Sequence, residues 1–177
     1  MLTLLSNQDD YQFNVLDQGS LGSCAANAAS NALRFCLFKE KKKEFQPSRL
    51  FIYYFTRFLQ KTINTDSGSD LRTVMNAIRT FSSCEEQYHP YVISKFKDCP
   101  SNSCIRNAQN YNRNFKFLSV IQTENEIKKV LFSGFPIVCG IKVYTSFENS
   151  KKGDIPLPGQ NENFLGGHAI LLVGYDN

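Results

Sequence analysis

Cys24 closes the segment Asp17-Gln-Gly-Ser-Leu-Gly-Ser-Cys24 and opens an alanine-rich stretch. A cysteine in the first turn of a helix faces free backbone N–H groups and the positive end of the helix dipole, and both favour thiolate over thiol. The thiolate is the nucleophilic form. Gly19 and Gly22 permit a tight turn just ahead of it. Gln18 lies six residues upstream, across that turn. Its side-chain amide can aim a donor at the point that the Cys24 N–H also faces, and two such donors form an oxyanion hole. His168 follows Gly166-Gly167 and begins the apolar run Ala169-Ile-Leu-Leu-Val173. A histidine held at the start of a buried strand can take the cysteine proton and later return it to a leaving amine.

Ordinary readings compete with these. A lone cysteine on a helix is most often a small buried hydrophobe, and Cys36 and Cys139 are read that way. His89, next to Pro90, reads as a structural residue. Gln18 alone would be a surface amide; only its offset from Cys24 gives it a role. The Ser67–Ser69 stretch can serve as a loop and helix cap and nothing more.

The elements that would position these residues follow from spacing. Ala25, Ala28, Ala29, Ala32 and Leu33 fall at helical intervals, which predicts a buried central helix from Cys24 to Phe38. A second helix is predicted from Pro47-Ser48 to about Lys61, with proline at its first position. A third runs from about Asp70 to Phe81, with Leu71, Val74, Ile78 and Phe81 as its stripe and Ser69 or Asp70 as its cap. Residues 99–114, rich in Asn and Ser, read as loop. Phe115–Ile121 alternates like a strand. Thr123-Glu-Asn-Glu126 is a capping box opening a short helix that ends at Gly134. Pro136–Tyr144 and Gly167–Tyr175 read as strands, separated by a turn-rich stretch from Lys151 to Phe164. Helices first and strands later predict an α+β protein with a cleft between two lobes.

Composition bounds the alternatives. The chain has 177 residues, 42% of them hydrophobic and 20% charged, which is an ordinary globular balance. The net charge is +4, and the basic run at Lys39–Lys43 is too short to read as a nucleic-acid patch. No stretch approaches the roughly 20 apolar residues of a membrane span. The start, Met1–Asp10, lacks the basic and apolar regions of a secretory signal. Six cysteines are present at positions 24, 36, 84, 99, 104 and 139. Cys99 and Cys104 could form a local bridge, but no second pair or nearby histidine completes a zinc site.

The frame around the chemistry resembles the papain-like (C1) family of cysteine peptidases. The resemblance rests on Gln18-Gly-Ser-Leu-Gly-Ser-Cys24-Ala25, Gly167-His168-Ala169 and Val173-Gly-Tyr175. Pro47–Tyr54, Asp66–Arg72, Pro90-Tyr91 and Gly134–Ile137 match in order, so it covers nearly the whole chain. It looks closest to divergent microbial and viral-type members. It implies a two-lobe papain-like fold: a helical lobe, 1–110, carrying the nucleophile, and an antiparallel β lobe, 111–177, carrying the histidine. Cys24 would be the nucleophile, His168 the general base and acid, and Gln18 the oxyanion donor. Ser67, Gly68, Ser69 and Gly167 would line the substrate cleft. The implied reaction is peptide-bond hydrolysis through an acyl-enzyme, on peptide or protein substrates, with no cofactor, metal, nucleic acid or membrane partner; the oligomeric state is open.

Three departures shape the expectations. Leu21 stands where the family has a disulfide cysteine, which together with the missing signal suggests a reducing compartment, cytoplasmic or within a virus particle. Ala25 stands where the family has an aromatic residue. The chain ends at Asn177, ahead of the Asn-Ser-Trp-Gly segment that orients the histidine in the family, and no propeptide precedes Gln18. A truncated product, a fragment or an inactive relative is expected. Two other functions remain: a catalytically inactive papain-like protein with a structural or binding role, and a transglutaminase-like acyl transferase.

Overall fold

The computed structural model describes residues 15–40, 45–111, 115–150 and 153–176. The Met1–Asp10 start, most of the Lys39–Lys43 run and Asn177 lie outside the described residues. In chain order the elements are α1 (Cys24–Lys39), α2 (Arg49–Gln60), α3 (Leu71–Phe81), α4 (Asn102–Gln109), α5 (Glu124–Phe132), β1 (Ile137–Tyr144), α6 (Thr145–Glu148) and β2 (Phe164–Leu172). Two short 3-10 turns, Glu86–Tyr88 and Ile93–Lys95, precede α4. The order is α+β, as the spacing predicts.

The α1 helix is the middle of the molecule. Its alanines at 25, 26, 28 and 29 are buried on all sides, and small side chains let α2, α3 and β2 approach closely. One core cluster joins Leu33 and Leu37 of α1, Leu50, Ile52 and Tyr53 of α2, Val74 and Ile78 of α3, and Ala169 of β2. The caps are local and legible. Ser48 accepts from the Phe51 N–H, Asp70 from Thr73 and Thr123 from Glu126. Pro47 therefore lies just outside α2 rather than at its first position.

Among the described residues, β1 and β2 form a two-stranded antiparallel sheet that pairs Ile141 with His168 and Gly140 with Ala169. The register breaks between Val143 and Tyr144, leaving Leu165 as the extra residue. Strand β2 begins at Phe164, earlier than the predicted Gly167, because the ladder with β1 continues through the glycines.

Two predicted segments differ. Residues 102–109 form α4 rather than loop: Ser101 caps the Cys104 N–H, while Cys104 and Ala108 are buried beneath it. Phe115–Ile121 makes no strand, since its alternating side chains find no partner ladder, and Leu118 is 87% exposed. The Cys99–Cys104 bridge is not formed. Cys99 is exposed and free, whereas Cys104 is buried beside Cys84.

Candidate active site

Cys24 is the first residue of α1, partly buried at the edge of the main core. Ser23 occupies the N-cap position, yet its side chain does not cap the helix. Its hydroxyl contacts the Tyr91 hydroxyl at 2.5 Å and accepts from Asn27 Nδ2 at 3.0 Å. Ser23 thus leaves the N–H groups of the first turn without a side-chain cap. Ala25 points the other way, 1% exposed within the core, so that position serves packing.

The turn ahead of Cys24 is tightly held. Gly19 adopts φ +58°, which an L side chain rarely takes. Gln18 Nε2 donates to the Leu21 carbonyl at 2.9 Å. An amide nitrogen carries two hydrogens. One is fixed on Leu21, which sets the orientation of the group, and the second remains for another acceptor.

Two clamps fix this turn to the rest of the chain, and neither is visible as sequence spacing. The first is Arg49. Its guanidinium lies 3.9 Å from the centre of the Tyr91 ring. It donates to Glu86 at 2.8 and 3.0 Å, to the Asp17 carbonyl at 3.0 Å and to Asn27 Oδ1 at 3.2 Å. Tyr91 in turn donates to the Gln18 carbonyl at 2.9 Å. The planar guanidinium suits such a fork of acceptors on one side and an aromatic face on the other.

The second clamp is Asp66. Its carboxylate accepts the Gly22 N–H at 3.0 and 3.1 Å and a hydrogen bond from the Tyr53 hydroxyl. Tyr53 accepts the Gly68 N–H at 3.2 Å. Burial and the Asp66 carboxylate push the Tyr53 phenol well above its usual range, so it stays a donor. Gly22 has a steric reason to be glycine. A Cβ there would lie 3.1 Å from Asp66 Oδ1 and 3.5 Å from the Gly68 backbone. The structure therefore brings Gly68 beside the turn that leads into Cys24. Ser67 bonds to Thr62 at 2.8 Å, and Asp70, not Ser69, caps α3.

His168 sits on β2, the strand that packs against α1. The residue after it, Ala169, is buried in the cluster against which Cys24 also packs. The Phe147 ring and the imidazole meet edge to face, with centroids 6.2 Å apart. A cleft of about 300 Å³ lies on this side, bounded by Val143, Phe147, Glu148 and Gly166–His168. Gly167 is exposed along it and pairs with Lys142. His89 is half-buried away from these elements. Its carbonyl accepts from Ser48, and burial lowers the basicity of its ring. Among the described residues no cluster of three potential metal ligands occurs, and no helix is long and apolar enough to cross a membrane.

Comparisons with known proteins show the family of the chain. The profile of the papain family of cysteine proteases matches residues 7–177, and the chain belongs to that family. It is 36% identical over 173 residues to an uncharacterized peptidase C1-like protein of Acanthamoeba polyphaga mimivirus, covering 91% of this chain and 55% of that relative. The chain thus spans about half the length of the curated relative it matches. The crystal structure of xylellain, a cysteine protease from Xylella fastidiosa, superposes with a TM-score of 0.88 at 36% identity, over 94% of this chain and 68% of that one.

Proposed function

We propose that this chain hydrolyses peptide bonds as a papain-like cysteine peptidase, with Cys24 as nucleophile, His168 as general base and acid, and Gln18 as oxyanion donor. The observation that carries this reading is that α1, opening at Cys24, packs against the strand that carries His168. The Cys24 thiolate adds to the scissile carbonyl carbon. The oxygen takes the negative charge and accepts from the Cys24 N–H and the second Gln18 Nε2 hydrogen. His168 gives its proton to the departing amine, leaving a thioester. The same imidazole then takes a proton from water, which attacks the thioester and frees Cys24.

The peptide backbone would lie along Ser67–Ser69 on one side and Gly167 on the other. The pinning of Gly68 beside Gly22 supports this, because it fixes backbone polar groups near the nucleophile. The helical lobe, 1–110, and the β-rich lobe, 111–177, would then be two walls of one peptidase domain. Leu21, 3% exposed in the core where the family resemblance places a disulfide cysteine, supports work in a reducing compartment, the cytoplasm or a virus particle.

The test is labelling of the folded chain by an irreversible thiol-directed peptidyl epoxide, with turnover of a fluorogenic peptide measured in parallel. Labelling should fall on Cys24. Cys24→Ala should lower turnover by about a thousandfold or more, and Gln18→Ala by about tenfold to a thousandfold in kcat. Folded protein that neither labels at Cys24 nor cleaves any peptide would overturn the reading.

A further inference from the structure

Outside the Cys24 region the thiols differ in setting. Cys36 and Cys139 are partly buried, one on α1 and one on β1, and burial raises both. Cys84 and Cys104 are both fully enclosed, at 0% exposure. They share one small core cluster with Phe51 and Ala108, and each thiol is the largest influence on the basicity of the other. Cys84 lies just after α3, and Cys104 lies in the first turn of α4. A bond between their sulfurs would join two elements that the chain connects only through the intervening loop.

The two thiols are chemically unequal. The neighbouring Cys84 holds the Cys104 thiol below the usual range. Cys104, together with burial, pushes Cys84 far up. The position of Cys104 in the first turn of a helix acts in the same direction. One partner is thus suited to attack first and the other to resolve.

We propose that Cys84 and Cys104 form a redox-active pair that closes to an intramolecular disulfide on exchange with a small-molecule disulfide of the glutathione class. The Cys104 thiolate attacks one sulfur of the oxidant, forming a mixed disulfide and releasing one small thiolate, which takes a proton from Cys84. The Cys84 thiolate then attacks the Cys104 sulfur and displaces the second small thiolate, which takes up the proton that Cys104 gave to solvent on ionising. The protein loses two electrons and two protons, and the oxidant is reduced to two thiols. Access is by opening of α4, whose eight residues are few enough to unfold locally.

The bond would reach the Cys24 region through backbone. The Cys84 carbonyl accepts the Ser48 N–H at 2.8 Å, and Glu86, two residues on, grips Arg49. Arg49 holds the Asp17 carbonyl next to Gln18. A disulfide at Cys84 would stiffen the base of that support.

The full chain is incubated with oxidised glutathione, both folded and during refolding, then acid-quenched, unfolded, alkylated and peptide-mapped. The expected result is a Cys84 peptide linked to a Cys104 peptide with loss of two hydrogens. The melting midpoint should rise by about 5 °C or more, as closing a loop of this length predicts, and a dithiol reductant should reverse both. Cys84→Ala and Cys104→Ala should each remove the linkage and the rise, and the wild-type map stands should either variant fold poorly. The proposal is overturned if both residues are alkylated while exposed Cys99 carries glutathione, if Cys104 links to Cys99 instead, or if the linkage leaves the melting midpoint unmoved.

Discussion

Among the described residues, most buried apolar side chains lie up to Ala108 and few lie beyond it. The first group includes Leu50, Phe51, Ile52, Val74 and Ile78, each at most 1% exposed. Beyond Ala108 only Leu131 and Ala169 are buried apolar residues, while Leu118, Ile121, Phe132, Leu157 and Phe164 are all more than half exposed. The helical half fixes its side of the site by dense packing plus the Arg49 and Asp66 clamps. The strand half holds His168 through a backbone ladder and one packed face against α1. Cys24 is therefore positioned by a core, and His168 is positioned by a lean.

Four substitutions or conditions can break or sharpen that contrast. Leu50→Ala removes a fully enclosed side chain from the helical core, and denaturant unfolding should show a loss of about 3 kcal/mol. A loss below about 1 kcal/mol would mean that the helical half is not the stable one. Arg49→Ala leaves Glu86 Oε1 and the Asp17 carbonyl without their donor, while the backbone N–H of residue 49 still reaches Glu86 Oε2, and about 2 kcal/mol should be lost. If the clamp positions the turn, this variant should also lower kcat more than it raises KM for any peptide the chain cleaves.

Alkaline titration gives a smaller effect with a definite sign. Tyr111 donates to Glu85 at 2.6 Å, and that carboxylate, with burial, pushes its phenol up to about 12. The folded pKa lies above the unfolded value of about 10. The contribution is therefore complete below pH of about 10 and is lost as pH rises toward the folded value. Melting midpoints of the wild type should fall across that window more steeply than those of Tyr111→Phe. The smallest effect belongs to the strand half. Leu157→Ala, at a side chain 93% exposed, should shift stability by less than about 0.5 kcal/mol. A large loss there would show that this surface is packed in solution.

What the sequence made legible was local. Asp70 and Thr123 announce helix starts because each cap acts on an N–H three residues ahead, whereas Ser48 caps α2 where the proline was expected to open it. The Gln18-to-Cys24 offset is equally local, and the turn it implied is present. The α4 helix was hidden because Asn and Ser favour loops in isolation, while burial of Cys104 and Ala108 decides the matter here. Phe115–Ile121 failed for the converse reason: alternation describes a strand only when a neighbour supplies the ladder. Both clamps were illegible, since Arg49 meets Glu86 and Asp66 meets Gly22 across 37 and 44 residues. Their motifs were visible as fragments, and nothing in those fragments says which bonds to which.

The carboxylate of Asp66 has a kinetic consequence. Gly22 and Gly68 belong to different loops, yet the amide of one ends on Asp66 and the amide of the other ends on the Tyr53 hydroxyl bonded to it. Neither amide can exchange its hydrogen with solvent by a motion that spares the shared centre. The two loops should open and close as one unit, with matched exchange rates and a matched response to Tyr53→Phe. The Gly68 loop and the turn that leads into Cys24 would then fluctuate together rather than as independent segments.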